Sequence, residues 1–176
     1  MSNTNLVIDE LLDPFKSVIG EEYNKYRNHV LRVYQNCLLL DNNKDNEKKY
    51  AIAAVYHDIG IWTKQTIDYL GPSMEQSKNF LAHTSRDEWI EEISLMIYWH
   101  HKWSGYKGQY AGTVGNFRKA DWIDVSLGFL TFGINKTAVE KTRKAYPNLG
   151  FHRFLLRKIS GNLLKHPFNP LPMFTR

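Results

Sequence analysis

Apolar residues recur at three- and four-residue steps through most of the chain, the spacing of one buried helix face after another. In 21–40, EEYNKYRNHVLRVYQNCLLL, Tyr26, His29, Val30, Val33 and Cys37 share a face behind two acids suited to a helix N-terminus. In KYAIAAVYHD, Tyr50, Ala54, His57 and Asp58 lie on adjoining faces, and Gly60 is the predicted stop. Ser73 and Gln76 are spaced as a capping box opening a helix that carries His83 at its far end, and Ser85 and Glu88 repeat the box. Next, DEWIEEISLMIYWHHKW sets Trp89, Ile93, Met96, His100 and Trp103 on one stripe, with Ile90, Ile97 and His101 beside it. After a glycine-rich loop (104–112), TVGNFRKADWIDVS puts Phe117, Ala120, Asp121 and Asp124 on one face. Amphipathic helices at about 134–146 and 151–165 and a Pro-broken tail complete a reading with no run of strands. The predicted fold class is all-α.

The 176 residues contain no repeat, low-complexity tract or linker, so one domain is expected, with a core at about 22–125 and the C-terminal helices packed on it. The single cysteine, Cys37, excludes an internal disulfide and reads as a small core residue in a reducing compartment. No export signal opens the chain, and its longest uncharged apolar stretch (125–135) falls short of the roughly 20 residues that cross a bilayer. A cytoplasmic location is therefore expected. The net charge of +5 selects no partner by itself. The basic segment 141–166 reads as a solvated helix face whose Phe151, Phe154, Leu155 and Ile159 pack inward, so neither nucleic acid nor membrane is expected as a partner. The five tryptophans read as core or cavity wall, and the oligomeric state stays open.

One set of residues resists a purely structural reading. His29, His57, Asp58, His83, His100, His101 and Asp121 each fall near the end or on the apolar face of a predicted helix. Buried ionisable groups are costly alone, so such a set should neutralise itself or coordinate metal. Mixed imidazole and carboxylate ligands suit iron, manganese, zinc, cobalt or nickel, and are too many for one ion. Two ions about 3.5–4 Å apart, bridged by Asp58, would use them.

The segments YRNHVLRVY, AVYHDIGIW and FRKADWIDV resemble the HD superfamily of metal-dependent phosphohydrolases over about residues 22–125. His83 and the WHHKW pair look like the additional ligands of its two-metal branch. The resemblance implies a helical bundle with two divalent ions, iron or manganese first, in a central cavity. It implies His29, His57, Asp58 and Asp121 as first-site ligands, His83 and His100 or His101 at the second, and the His57–Asp58 pair at the catalytic centre. Asp124 could replace Asp121, but the KAD context favours Asp121 and leaves Asp124 a supporting partner. Lys64, His101, Lys102, Arg118 and Lys119 are the nearby donors for a small anionic substrate.

The expected activity is release of phosphate from a small phosphorylated metabolite or nucleotide by metal-activated water. Ile61 stands where the cyclic-dinucleotide branch has lysine, and SGYKG replaces its Gly-Tyr-Pro signature, which argues against that activity. IGIWTKQ lacks the carboxylate usual in branches acting on nucleoside monophosphates or guanosine polyphosphates. A di-iron oxygenase shares the ligand pattern and is the alternative, with a non-catalytic metal-binding module as a third reading.

Overall fold

The computed structural model describes residues 3–165 and contains no strand among them. Helix α1 (Asn3–Leu12) and the short α2 (Lys16–Ile19) lead into α3 (Tyr23–Leu40) and α4 (Glu47–Tyr56). The single turn α5 (Gly60–Thr63) precedes α6 (Leu70–His83), α7 (Ile90–Trp99), α8 (Ala111–Val125), α9 (Lys136–Ala145) and α10 (Phe151–Lys165). The Pro-broken tail, His166 included, lies outside the described residues.

Helix α3 packs along α8, α7 lies between α6 and α8, and α4 touches α3, α6 and α7. Their apolar faces meet in a core that fully buries Tyr26, Val30, Leu31, Ala54, Ile93, Met96 and Phe117. Two buried bonds tie the layers together: Tyr26 donates to the Val55 carbonyl at 2.8 Å, and Asn36 donates to the Ala120 carbonyl at 3.2 Å. Phe151, at the start of α10, is fully buried, with Phe154 and Leu155 against the same core.

Three local expectations are corrected. Helix α6 starts at Leu70, so Ser73 is no cap; it is fully buried and its Oγ accepts the Gly60 N–H at 2.9 Å. Gly60 does not stop a helix but starts α5, and its missing side chain is required by close approach, because a Cβ there would lie 2.5 Å from the Tyr69 carbonyl oxygen. Ser85 makes no cap either, since α7 begins at Ile90 behind a short 3-10 turn over Asp87–Trp89. One tryptophan also departs from the core or wall reading: Trp103 is 76% exposed, its ring lying 4.6 Å from that of Trp122. No helix among the described residues is long and apolar enough to cross a membrane.

Candidate metal centre

Four helices deliver polar side chains into the middle of this core. His29 comes from α3, His57 and Asp58 from the turn that ends α4, His100 and His101 from the end of α7, and Asp121 and Asp124 from α8. All but His101 are 3% exposed or less. The turn bearing His57 and Asp58 is clamped by the Gly60–Ser73 bond just described.

Each of three histidines has one ring nitrogen occupied and the other turned inward. His57 Nδ1 donates to the Ala54 carbonyl at 2.8 Å, and His100 Nδ1 donates to the Ile97 carbonyl at 2.6 Å. His29 Nδ1 sits 2.7 Å from Asp124 Oδ2, and Arg32, also fully buried, clamps Asp124 through Nε and through Nη2 at 2.9 Å. Such bonds fix the tautomer and leave the Nε2 lone pair for a metal ion. Phe151 stacks on the His29 ring at 4.4 Å and Phe117 sets its edge to His57 at 5.7 Å, which holds both rings in place.

The inward atoms form two groups, His29–His57–Asp58 and Asp58–His100–His101, each with ligand atoms close enough for one ion. Both carboxylates divide their oxygens between the groups. Asp58 turns Oδ2 to His57 (3.4 Å) and His29 (3.6 Å) and Oδ1 to His100 Nε2 (3.5 Å). Asp121 turns Oδ1 to His29 (3.7 Å) and His57 (3.9 Å) and Oδ2 to His101 Nδ1 (3.6 Å). Asp58 Oδ1, Asp121 Oδ2 and His100 Nε2 are buried without a hydrogen-bond partner. Each such atom costs roughly 1–3 kcal/mol unless something satisfies it. A divalent cation fits this donor set and satisfies all three at once.

The electrostatics favour positive charge here. Burial disfavours the His57 imidazolium, yet Asp58 and Asp121 outweigh it and raise His57 to about 9. Burial would raise Asp58, but His57 and His100 hold it well below the ordinary carboxylate range. At Asp121 burial prevails and lifts the carboxyl to about 6. Burial likewise pulls His29 down to about 4 despite Asp124, so this imidazole stays neutral and available as a ligand.

The structure therefore brings together His29, His57, Asp58, His100, His101 and Asp121. It does not bring His83, which is exposed at the last residue of α6 with Nδ1 donating to the Asn79 carbonyl at 2.6 Å, and belongs to neither group. Nor do the four cations proposed for substrate reach the cavity over the centre. That cavity, about 110 Å³, is lined at its polar end by His29, Asp58, Tyr69, His101 and Asp121, and elsewhere by Ile61, Ile67, Trp122, Val125, Leu155 and Ile159. Lys64 is exposed at the end of α5. Lys102 sets Nζ over the Tyr98 ring at 4.9 Å, and Arg118 Nη1 donates to the Lys102 carbonyl at 3.2 Å. Lys119 lies half-buried on α8 without reaching the lining.

Three contributors are given no role at the site by the sequence pattern. Arg32 was signalled only by its i+3 step from His29, matching that of Asp124 from Asp121. Tyr69, whose Oη lies 2.5 Å from His101 Nε2, sits in a connecting stretch without periodicity, and Ser73 lies in the first turn of α6, where its spacing to Gln76 mimics a capping box.

A model of the HD domain matches residues 26–131, well over half of the chain and all of the clustered residues. No curated protein and no solved structure matches the chain. With an inward His29, an adjacent His57–Asp58 pair and Asp121 converging inside an all-helical core, this protein belongs to the HD domain family, within the superfamily of metal-dependent phosphohydrolases.

Proposed function

We propose that the protein is a two-metal phosphohydrolase that releases phosphate from a small phosphorylated metabolite. The observation that carries the reading is the division of Asp58 and Asp121, each with one oxygen toward either group of ligands. His29 and His57 with Asp58 and Asp121 would hold one ion, and His100 with the other carboxylate oxygens the second. Iron or manganese suits this imidazole and carboxylate mixture, with zinc, cobalt or nickel as alternatives. Bound ions supply a water acidic enough to act as nucleophile near neutral pH and polarise the phosphoryl oxygens.

The chain's own residues do the rest. Arg32 and Asp124 orient His29, and the Ala54 and Ile97 carbonyls orient His57 and His100, so the inward nitrogens need no rearrangement. Water gives up a proton as its oxygen bonds to phosphorus, the ester P–O bond breaks, and the leaving oxygen takes a proton in turn. Tyr69 Oη and His101 Nε2 share one on the cavity wall, where they stand ready to deliver it. The apolar wall excludes bulk water from the reacting group.

The test is phosphate release from a panel of phosphomonoesters under anaerobic conditions, on protein purified without chelator and assayed for metal by elemental analysis. Metal-dependent release without oxygen supports the reading. Oxygen consumption without phosphate release overturns it in favour of an oxygenase, and bound metal with neither activity overturns it in favour of a non-catalytic module.

A further inference from the structure

We propose that the substrate carries an apolar organic group, making it a small alkyl or aryl phosphate and not a sugar phosphate, nucleotide or polyphosphate. The head group in this proposal rests on the phosphohydrolase reading; the organic group rests on the cavity alone. Away from the ligand end, the lining is Ile61, Ile67, Trp122, Val125, Leu155 and Ile159, and among the described residues no lysine or arginine contributes. The polar wall groups outside the carboxylates and His29 are Tyr69 and His101, which engage each other at 2.5 Å, and the indole of Trp122, whose Nε1 has no partner.

Such a surface discriminates strongly by polarity. A sugar ring entering it would set hydroxyls against isoleucine, valine and leucine, and each unpaired hydroxyl costs about ten- to a hundredfold in affinity. A second phosphate has no cation to meet inside. Arg157 and Lys158 line a different, wider groove with Gln65, Thr66, Gly161 and Asn162, which shares with the cavity the single residue Ile67. Inside the cavity the single anionic group must therefore lie at the carboxylate and histidine end, where metal ions would neutralise it.

Size narrows the class further. The cavity, about 110 Å³, is somewhat smaller than the roughly 150 Å³ engineered space that takes benzene, and the phosphoryl group shares it, so the organic group has at most about six carbons. Leu155 and Ile159 belong to α10 and Val125 ends α8, so the selective wall is built partly outside the ligand-bearing helices.

The experiment compares n-pentyl phosphate with glycerol 1-phosphate, of similar size and leaving-group chemistry, and with adenosine monophosphate, on the metal-loaded full chain. Binding of phenylphosphonate and of inorganic phosphate is measured in parallel by calorimetry, on wild type and on Ile159→Lys. Ile159 is half-buried, and Ile159→Ser serves if the lysine variant does not fold. Pentyl phosphate is expected to exceed glycerol phosphate at least about thirtyfold in kcat/KM. Phenylphosphonate should bind more tightly than phosphate, and lose at least about tenfold in the variant while phosphate binding holds. A kcat/KM favouring glycerol phosphate or the nucleotide overturns the inference and leaves the phosphohydrolase reading standing. No hydrolysis of any ester, with phenylphosphonate still preferred and weakened by the variant, overturns the phosphohydrolase reading and supports an apolar ligand. Equal binding of the two probes in wild type overturns the inference whatever the activity.

Discussion

His29 and His57 meet Nε2 to Nε2 at 2.9 Å inside the core, while their Nδ1 nitrogens are committed to Asp124 and to the Ala54 carbonyl. With both Nε2 atoms bare, two imidazoles so held would set lone pair against lone pair, so the pair needs a positive charge: a proton on His57, which then donates to neutral His29, or a metal ion in its place. A metal ion with nitrogen bonds of about 2.0–2.1 Å reaches both. Asp58 and Asp121 surround the same point with negative charge, and for that reason His57 is lifted to about 9. The site is built for a cation before any substrate arrives.

Asp58→Ala removes an oxygen from each ligand group, so both metal affinity and turnover should fall by more than the roughly 10–100-fold typical of losing an outer partner. Elemental analysis after dialysis, beside phosphate release, reads the two effects separately. Wild-type metal content and rate in this variant would refute the bridging role.

The paired histidines should separate cleanly. His100 offers an unpartnered Nε2 at 3.5 Å from Asp58 Oδ1, whereas His101 Nε2 is engaged by Tyr69. His100→Ala is expected to lose about one metal equivalent. Tyr69→Phe should keep its metal and lose about 10²–10⁴-fold in rate, the usual worth of a positioned proton donor, and His101→Ala, which also removes the Nδ1 facing Asp121 Oδ2, should lose that rate and weaken metal binding less than His100→Ala does. Metal loss in His101→Ala but not in His100→Ala would exchange the two roles.

The inward set was legible because periodicity reports which face of a helix is buried, and a histidine or carboxylate on such a face is too costly to be incidental. His29, His100 and Asp121 are found that way. What periodicity does not report is how far a terminal residue is turned from the core. His83 ends α6, where its ring folds back on the Asn79 carbonyl one turn earlier and stays exposed. Pairings between distant segments were equally hidden: Arg32 and Asp124 stand 92 residues apart in sequence, and nothing local marks them as partners. The four basic candidates were chosen by nearness along the chain, and α8 simply points Arg118 toward the Lys102 carbonyl.

His83→Ala and Arg118→Ala follow from that correction. Neither residue touches the cavity or a ligand group, so metal content, kcat and KM should each stay within about twofold of wild type, as for substitutions remote from a site. Loss of a metal equivalent in His83→Ala, or a raised KM in Arg118→Ala, would bring that residue back into the centre.

Asp124→Asn tests the support beneath the centre through stability and pH. Burial alone would raise the Asp124 carboxyl, but His29 and Arg32 overcome it and hold the folded value well below the unfolded one of about 3.9. The carboxylate therefore stabilises the fold in full above about pH 4, and that contribution drains away as pH falls toward the depressed folded value. Asparagine keeps the shape but strands a fully buried Arg32, so the variant should lose about 3–5 kcal/mol at pH 7. His29, held down to about 4, must stay neutral while its unfolded counterpart protonates, so both proteins should also weaken as pH falls through about 6.5 to 4. Urea unfolding of chelator-treated wild type and variant at pH 7, 5 and 3 reads these effects apart: the gap between the proteins should be constant from pH 7 to 5 and narrow at pH 3. Adding Arg32→Met should recover most of the loss, because it removes the stranded charge. A gap that is absent at pH 7, or that widens in acid, would mean that Asp124 does not carry the buried charge on which the orientation of His29 depends.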